Sequence, residues 1–488
     1  MSSPVLAFFE TIEIQQDSTQ AIYIQIAQQI TDAIQRNILP IGCKLPGSRQ
    51  LAATIGVHRK TVVAAFEELE LQNWVKIYPN KGTYVIEDNL QKSPLKFNYA
   101  DKKHKQEPTF TFAQTHLFDL PQHPNKTERF FTDGTADVRI NAAKEWHKYF
   151  AEISRKKTIR NTYHWYFPDS ESKLLTQLTN YLNVTRGLRI SPENVLVTQN
   201  ASVGLYLLME VLLDKNDTVV VAEKNYYKAN MIFQKNKTKL QSIPIDEEGI
   251  DVDALEKICQ KKNIRAVYVM PHAHYPTTVS LSKTRRLQLL KLSQQYGFMI
   301  IEDDWDYDLQ YEKMSSLPLC SADDEGRVIY VGEIGKNLLP GSQIGFVVGP
   351  EKLISALRQY AQIFGQSENH LKQMTISAML EEGEIQKHLK KSKKIYKQRR
   401  DKFAQLIQDE FADEFSFSLP HGGLAFWLQC QKPNVNLLQV NKKCLSNGLY
   451  IPTSLLYQNK NNSAIRLGFG HMNEQEMLEN LRILKACL

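Results

Sequence analysis

The chain has 488 residues, 42% hydrophobic and 23% charged, with a formal net charge of +7, and that length implies two or three domains rather than one. No apolar run approaches the ~20 residues of a membrane-spanning helix, and the apolar stretch at residues 5–9 leads into Glu10, Glu13 and Asp17 rather than a cleavage site. Six scattered cysteines without a CxxC pair, and twelve histidines without an HExxH, argue against a zinc site or a disulfide framework and fit a reduced cytoplasm.

Ile22, Ile26, Ile30 and Ala33 recur at helical spacing and predict an amphipathic first helix stopped by Pro40 and Gly42. Pro46-Gly47-Ser48 opens a short second helix that turns Leu51, Ala52 and Ile55 inward, and Gly56 supplies the turn. A third helix is expected over residues 58–71, with Val62, Phe66 and Leu69 on its buried side. Residues 75–78 and 83–86 flank Pro79-Asn80-Lys81-Gly82 and read as a hairpin. Three helices and a hairpin in this order form a winged helix-turn-helix.

Charge placement gives that module a direction. Residues 1–88 hold seven Lys or Arg against nine Asp or Glu, yet no acidic residue occurs from Ala33 to Phe66. That window contains Arg36, Lys44, Arg49, Arg59 and Lys60, so the cations sit where helices two and three begin, the ends that meet phosphates and the major groove. His58, Arg59, Lys60 and Thr61 are candidates for reading bases, and Lys44, Arg49, Lys81 and Gly82 for lying along the backbone of double-stranded DNA. The plainer alternative is a solvated basic face.

The run KLPGSRQLAATIGVHRKTVVAAFEELELQNWVKIYPNKGTYV resembles the GntR family of bacterial regulators almost end to end. The resemblance implies DNA contacts at Arg49, Arg59, Thr61 and Gly82. His58 departs from it, standing where the family has a small helix cap, and histidine caps less well.

A polar, lysine-rich stretch with Pro94 and Pro108 follows. Residues 1–88 are therefore expected to form the DNA-binding domain, 89–109 a linker and 110–488 one large effector and dimerisation domain. In the last, strand-like segments at 195–197, 219–222, 266–270, 299–301, 328–331 and 346–348 alternate with helical stretches such as 205–213 and 282–296, the pattern of an α/β domain with a mainly parallel sheet. One strand runs into Glu302-Asp303-Asp304, and another is followed by Lys336 in a loop expected at Gly332-Glu333-Ile334-Gly335-Lys336. Carboxylates and a lysine at the carboxyl ends of neighbouring strands occupy the usual place for an α/β site. The unremarkable alternatives are a surface lysine and a helix cap.

The stretches FTDGTADVRI, VAEKNYY, HAHYPTTVSLSKTRRLQLL, IIEDDWD, VGEIGKNLLPGSQIGFVVGP, HGGLAFWL and IRLGFG resemble, in sequence and in order, MocR-type regulators. These are a GntR subgroup carrying a fold type I, pyridoxal-phosphate-dependent-transferase-like domain with a smaller C-terminal α+β subdomain. The resemblance implies pyridoxal 5'-phosphate held by Lys336 as Schiff-base lysine, Asp303 at the pyridine nitrogen, Tyr227 stacked on the ring, and the turn at Asn200 and Ala201 beneath the phosphate. It further implies Arg466 on the carboxylate of an amino-acid-like or amine effector, and a homodimer.

Several positions depart from that pattern. Trp305 replaces a tyrosine, Gln343 replaces the phosphate-binding arginine, Glu333 and Gly335 stand where hydroxyl residues are usual, and Thr278 replaces a glycine. Loss of the arginine removes a charge-assisted bond worth ~1.5–3 kcal/mol, and Glu333 would repel a phosphate if it pointed inward. The expected function is a non-catalytic, ligand-sensing transcription regulator. The alternatives are a working aminotransferase with an appended DNA-binding module and a regulator with a ligand-free dimerisation domain. The lysine-rich segment 386–403 reads as a helix with a solvated face or as a second DNA-contacting surface.

Overall fold

The computed structural model describes residues 8–18, 20–86, 110–111, 128–156, 168–235, 238–304, 306–311, 317–363, 369–432, 435–459 and 462–488. The expected linker at 89–109, and Trp305, lie outside them. The chain divides into two compact units, Met1–Ala113 and Gln114–Leu488.

The first unit contains helices α1 (Ile22–Gln35), α2 (Ser48–Ile55) and α3 (Arg59–Leu71) and an antiparallel hairpin of β1 (Val75–Tyr78) and β2 (Gly82–Val85). Its core gathers Ile26, Ile30 and Ala33 from α1, Leu51 and Ala52 from α2, and Val62, Phe66 and Leu69 from α3, the stripes the periodicity requires. α1 stops before Pro40: Asn37 turns left-handed with φ 58°, and the N–H groups of Ile38 and Leu39 fold back onto the carbonyl of Ala33. Phe9 and Ile12, upstream of the helical repeat, also enter this core. Gln25 and Gln29 on α1 hold that upstream segment, each exchanging amide hydrogen bonds in both directions with the backbone of Gln15 and Glu13 respectively.

The second unit begins with β3 (Arg129–Phe130), α4 (Ala143–Arg155) and α5 (Pro168–Arg186). There follow β4 (Val195–Thr198), α6 (Ala201–Leu212), β5 (Thr218–Ala222), α7 (Tyr227–Lys235), β6 (Lys239–Ile243), the two-residue strands β7 (Ile245–Asp246) and β8 (Gly249–Ile250), α8 (Val252–Cys259), β9 (Ala266–Val269), α9 (Lys283–Tyr296), β10 (Met299–Asp303), β11 (Val328–Ile334) and β12 (Ile344–Val348). The remainder is α10 (Glu351–Ile363), α11 (His370–Glu381), α12 (Glu384–Phe411), β13 (Phe415–Ser416), β14 (Ala425–Cys430), α13 (Leu437–Ser446), β15 (Leu449–Tyr450), β16 (Leu456–Gln458), β17 (Ser463–Gly468) and α14 (Glu474–Cys487).

Seven strands make the main sheet in the order β4-β12-β11-β10-β9-β5-β6. Its pairs are parallel except those made by β12, which runs antiparallel to both β11 and β4. The strands inside the β6 edge are largely apolar on both faces, as a sheet covered on both sides demands. Ile301, Tyr268 and Val221 face the core shared with α6, α7 and α10, whereas Ile300, Val267 and Val220 face α8 and α9. A four-stranded antiparallel sheet, β13-β14-β17-β16, packs with α12, α13 and α14 around Phe403, Phe426, Phe469 and Leu481 as the smaller C-terminal subdomain.

One sequence expectation changes here. The segment Gly332–Ile334 is strand, not loop: β11 continues through it because Gly332, Glu333 and Ile334 pair with Phe346, Gly345 and Ile344. Two glycines make that pairing possible. A Cβ on Gly332 would lie 2.4 Å from the Phe346 ring, and one on Gly345 would lie 2.2 Å from the Asn200 carbonyl carbon. The second contact is backbone against backbone and cannot relax by rotating a side chain. Gly345→Ala should therefore lower the stability of the second unit by about 1–3 kcal/mol, read as a fall in the urea midpoint of the full chain; an unchanged midpoint would mean that β12 and the turn at Asn200 separate without cost.

Candidate functional site

In the first unit the candidate DNA contacts fall on the face the sequence assigns them. Arg49, His58, Arg59, Lys60 and Lys81 are exposed, Thr61 is half-buried, and Nε of Arg59 donates to Ser48 Oγ at 3.3 Å, joining the starts of α2 and α3. Lys44 is exposed and bridges to Tyr84, with its ammonium 5.6 Å from the tyrosine ring. Its stem lies against Gly82, where a Cβ would meet Lys44 Cε at 2.7 Å, so Gly82, with φ 121°, leaves room for a cation at the wing. His58 is more than a poor cap. Its Nδ1 accepts from the Lys60 N–H at 3.2 Å, satisfying an otherwise orphaned donor of α3 and placing the ring hydrogen on Nε2.

In the second unit the candidate pocket forms at the carboxyl ends of β9, β10 and β11 and the start of α6. Glu302, Asp303 and Asp304 are all buried, and strand alternation sends them to different faces. Glu302 accepts the N–H groups of Leu319 and Cys320 at 2.8 and 2.9 Å. Asp304 Oδ2 meets His272 Nδ1 and the Tyr330 hydroxyl, each at 3.1 Å. Asp303 Oδ2 accepts from the Tyr268 hydroxyl at 2.6 Å, while its Oδ1 is buried with no hydrogen-bond partner. Burial pushes the Asp303 carboxyl up to about 7, against the Tyr268 hydrogen bond and the Lys336 charge, which favour its ionised form.

Lys336 follows Gly335, whose φ of 81° turns the chain out of β11. Its Nζ lies 3.4 Å from Asp306 Oδ1, an acid inside the IIEDDWD stretch to which the sequence reading gave no role. Tyr226 and Tyr227 are both half-buried; Tyr226 is the one that feels the charges of Asp303 and Glu333, and burial raises its hydroxyl. Tyr227 opens α7, and burial raises its hydroxyl as well. Arg466 is 2% exposed, stacked 4.5 Å from the centroid of the Tyr275 ring. Its Nε and Nη1 donate to the carbonyls of Asp133 and Pro276 at 2.9 and 2.8 Å. A cleft of about 460 Å³, lined by Lys224, Thr277, Thr278, Trp427 and Tyr457, includes neither Lys336 nor Asp303.

The turn expected beneath a phosphate is already engaged. The Asn200 side chain caps its own helix by accepting from Val203 N at 3.0 Å, and the Ala201 N–H donates to Glu333 Oε2 at 3.2 Å. The residues thus fit the ring end of pyridoxal phosphate, through the unpartnered Asp303 Oδ1 beside Lys336, and do not fit its phosphate end. Gln343 adds no charge there, and a carboxylate holds the helix terminus. His272, Glu302 and Asp304 bring ligand atoms within 4.8 Å of one another; the Glu302 oxygens accept backbone N–H groups, whereas Asp304 Oδ1 is buried with no hydrogen-bond partner.

Of the nine basic residues expected on the lysine-rich helix, two are committed to the fold of α12. Arg399 pairs with Asp137 at 2.8 Å, and the buried Arg400 donates to the Pro420 carbonyl at 3.0 Å. Lys387, Lys390, Lys391 and Lys394 are exposed. No helix among the described residues is long and apolar enough to cross a membrane.

Residues 133–484 match the family described as aminotransferase class I and II, and residues 22–85 match the bacterial regulatory proteins of the gntR family. The chain is 26% identical over 464 residues to the uncharacterized HTH-type transcriptional regulator YdfD of Bacillus subtilis, covering 94% of each chain. It is 22% identical over 401 residues to the probable rhizopine catabolism regulatory protein MocR of Rhizobium meliloti, covering 82% of this chain and 80% of that one. Kynurenine aminotransferase of Pyrococcus horikoshii, solved in complex with PMP, shares the fold of the second unit with a TM-score of 0.67 at 23% identity, over 74% of this chain and 91% of that one.

The raised Asp303 carboxyl has a consequence for stability. Between about pH 4 and 7 the folded chain keeps a proton that the unfolded chain has released, so this group's contribution falls as pH rises through that window. Asn at this position can still accept from Tyr268 and carries no charge to bury. Asp303→Asn should be more stable than the natural chain at pH 8 by on the order of 1–3 kcal/mol, with the advantage fading toward pH 4, as read by urea unfolding across that range. An advantage independent of pH would assign the effect to packing.

Proposed function

We propose, on the premise that the chain belongs to the aminotransferase class I and II family and carries a gntR-family module ahead of it, that it is a DNA-binding transcription regulator whose second unit senses a small ligand without turning it over. The observation that carries this reading is the docking face of the first unit. Arg49, His58, Arg59 and Lys60 stand exposed at the starts of α2 and α3, where a winged helix-turn-helix meets phosphates and base edges. We assign residues 1–88 to that module, 89–109 to a linker and 110–488 to the sensing unit, and we place the protein in the cytoplasm as a homodimer.

In the second unit we assign Lys336, Asp303 and Tyr226 to a pyridine aldehyde of the pyridoxal class, and Arg466 to the carboxylate of an amino-acid-like effector. When bound, such an aldehyde supplies a carbonyl that reacts with amines and a ring that accepts electrons. The chain's own residues hold it in place. Asp303 Oδ1 would accept the ring N–H, with Tyr268 fixing the other oxygen. Asp306 would hold the Lys336 ammonium and so its proton. Arg466, tied to two backbone carbonyls, would offer its remaining Nη hydrogens to a carboxylate. A working aminotransferase is the second reading, favoured by the retained lysine and aspartate.

Two measurements test the proposal. Sites selected by the full-length protein from a random DNA duplex pool should bind with a salt dependence whose slope drops by about 1 for each of Arg49→Ala and Arg59→Ala. The same slope should be unchanged by joint replacement of Lys390, Lys391 and Lys394 with Ala, since α12 presents a solvated face. Titration with pyridoxal should give a visible absorption band that Lys336→Ala removes, and amino acids should then shift DNA affinity without sustained keto-acid release. Sustained release would favour the enzyme, and a sequence-indifferent first unit would sink the regulator.

A further inference from the structure

We propose that Glu333 is a built-in anion that holds the phosphate position of the Lys336–Asp303 pocket, so that the pocket selects a pyridine aldehyde lacking a phosphate over its phosphorylated form. The inference rests on the pocket assigned above and narrows what enters it.

Five observations carry it. The start of α6 is a twelve-residue helix terminus that favours negative charge, and the Glu333 carboxylate already accepts its Ala201 N–H at 3.2 Å. The placement follows from the backbone: Glu333 sits on β11 opposite Gly345, and Gly345 is pressed against the Asn200 backbone, so strand register delivers the carboxylate to the turn. Gln343, two residues before Gly345, contributes no cation. Burial raises the Glu333 carboxyl, and the charges of Lys336 and Lys372 oppose that by favouring the carboxylate, so the cations at this end face a resident partner. At the opposite end Asp303, 6% exposed, retains an unpartnered Oδ1, a vacancy of the kind a ring N–H fills.

The two ends therefore ask for different things. The ring end lacks a donor, and the other end already has its anion. A phosphate dianion arriving at Ala201 would have to displace Glu333 or share the site with it, and like charges in a partly buried pocket repel more strongly than in water. A hydroxymethyl group in the same place carries no charge and can accept or donate a single hydrogen bond.

The test measures the affinity of the full-length protein for pyridoxal and for pyridoxal 5'-phosphate by calorimetry and visible absorption, in the natural chain and in Glu333→Gln. Glutamine keeps the shape and can still accept from Ala201. We expect the natural chain to bind pyridoxal at least as tightly as its phosphate ester. Glu333→Gln should tighten the phosphate ester by about tenfold or more while leaving pyridoxal nearly unchanged, and adding Gln343→Arg should tighten the ester further. Thermal unfolding verifies that each variant folds, and Glu333→Ser serves if the glutamine variant does not. A natural chain that prefers the phosphate ester tenfold, or a Glu333→Gln change that moves both ligands equally or neither, overturns the inference while leaving the pocket reading intact. Absence of a Lys336-dependent band with either ligand in every variant overturns the pocket reading and this inference together.

Discussion

Three consecutive carboxylates at the end of a central strand set the terms for the second unit. β10 lies in the middle of an apolar sheet, so Glu302, Asp303 and Asp304 cannot reach bulk water, and burying a carboxylate without compensation is costly. The fold answers each separately. Two backbone N–H groups serve Glu302, a histidine and a tyrosine serve Asp304, and a tyrosine alone serves Asp303. Burial still leaves Glu302 and Asp303 pushed up to about 7. Asp303 and Asp304 each keep one buried oxygen without a hydrogen-bond partner, and Lys336, Tyr226 and Glu333 all lie within the electrostatic reach of Asp303.

Much of the architecture was legible because it depends on periodicity. The stripes on α1, α2 and α3 and the doubly buried strands of the sheet follow from spacing alone. The errors fall where tertiary pairing overrides local signals. Gly332 and Gly335 suggested a loop at 332–336, yet pairing with β12 extends β11 through Ile334 because Gly332 admits Phe346 and Gly345 admits the Asn200 turn. Asn37 ended α1 ahead of Pro40, since a left-handed asparagine terminates a helix without help from proline. His58 caps α3 through Nδ1, a role available to imidazole in only one tautomer.

The pocket was legible by residue type and less so by orientation. Lys336 and Asp303 lie at neighbouring strand ends as their positions in the sequence suggest. Tyr226 and Tyr227 are adjacent and both half-buried, and nothing in a sequence says which of the two feels the Asp303 charge. Asp306 is visible only once the chain bends back beside Lys336. The side to which Glu333 points is not legible in a glycine-flanked segment read as a loop; in a strand, alternation decides it.

The contact between Glu333 and Ala201 also changes what kind of quantity governs this unit. A tethered side chain competes with a diffusing ligand as though it were present at a fixed local concentration, of millimolar order or above for short tethers. Occupancy by any anion at that turn is then set by comparison with this internal reference rather than by intrinsic affinity alone. One glutamate on one strand thereby gives the protein a threshold written into its own covalent structure.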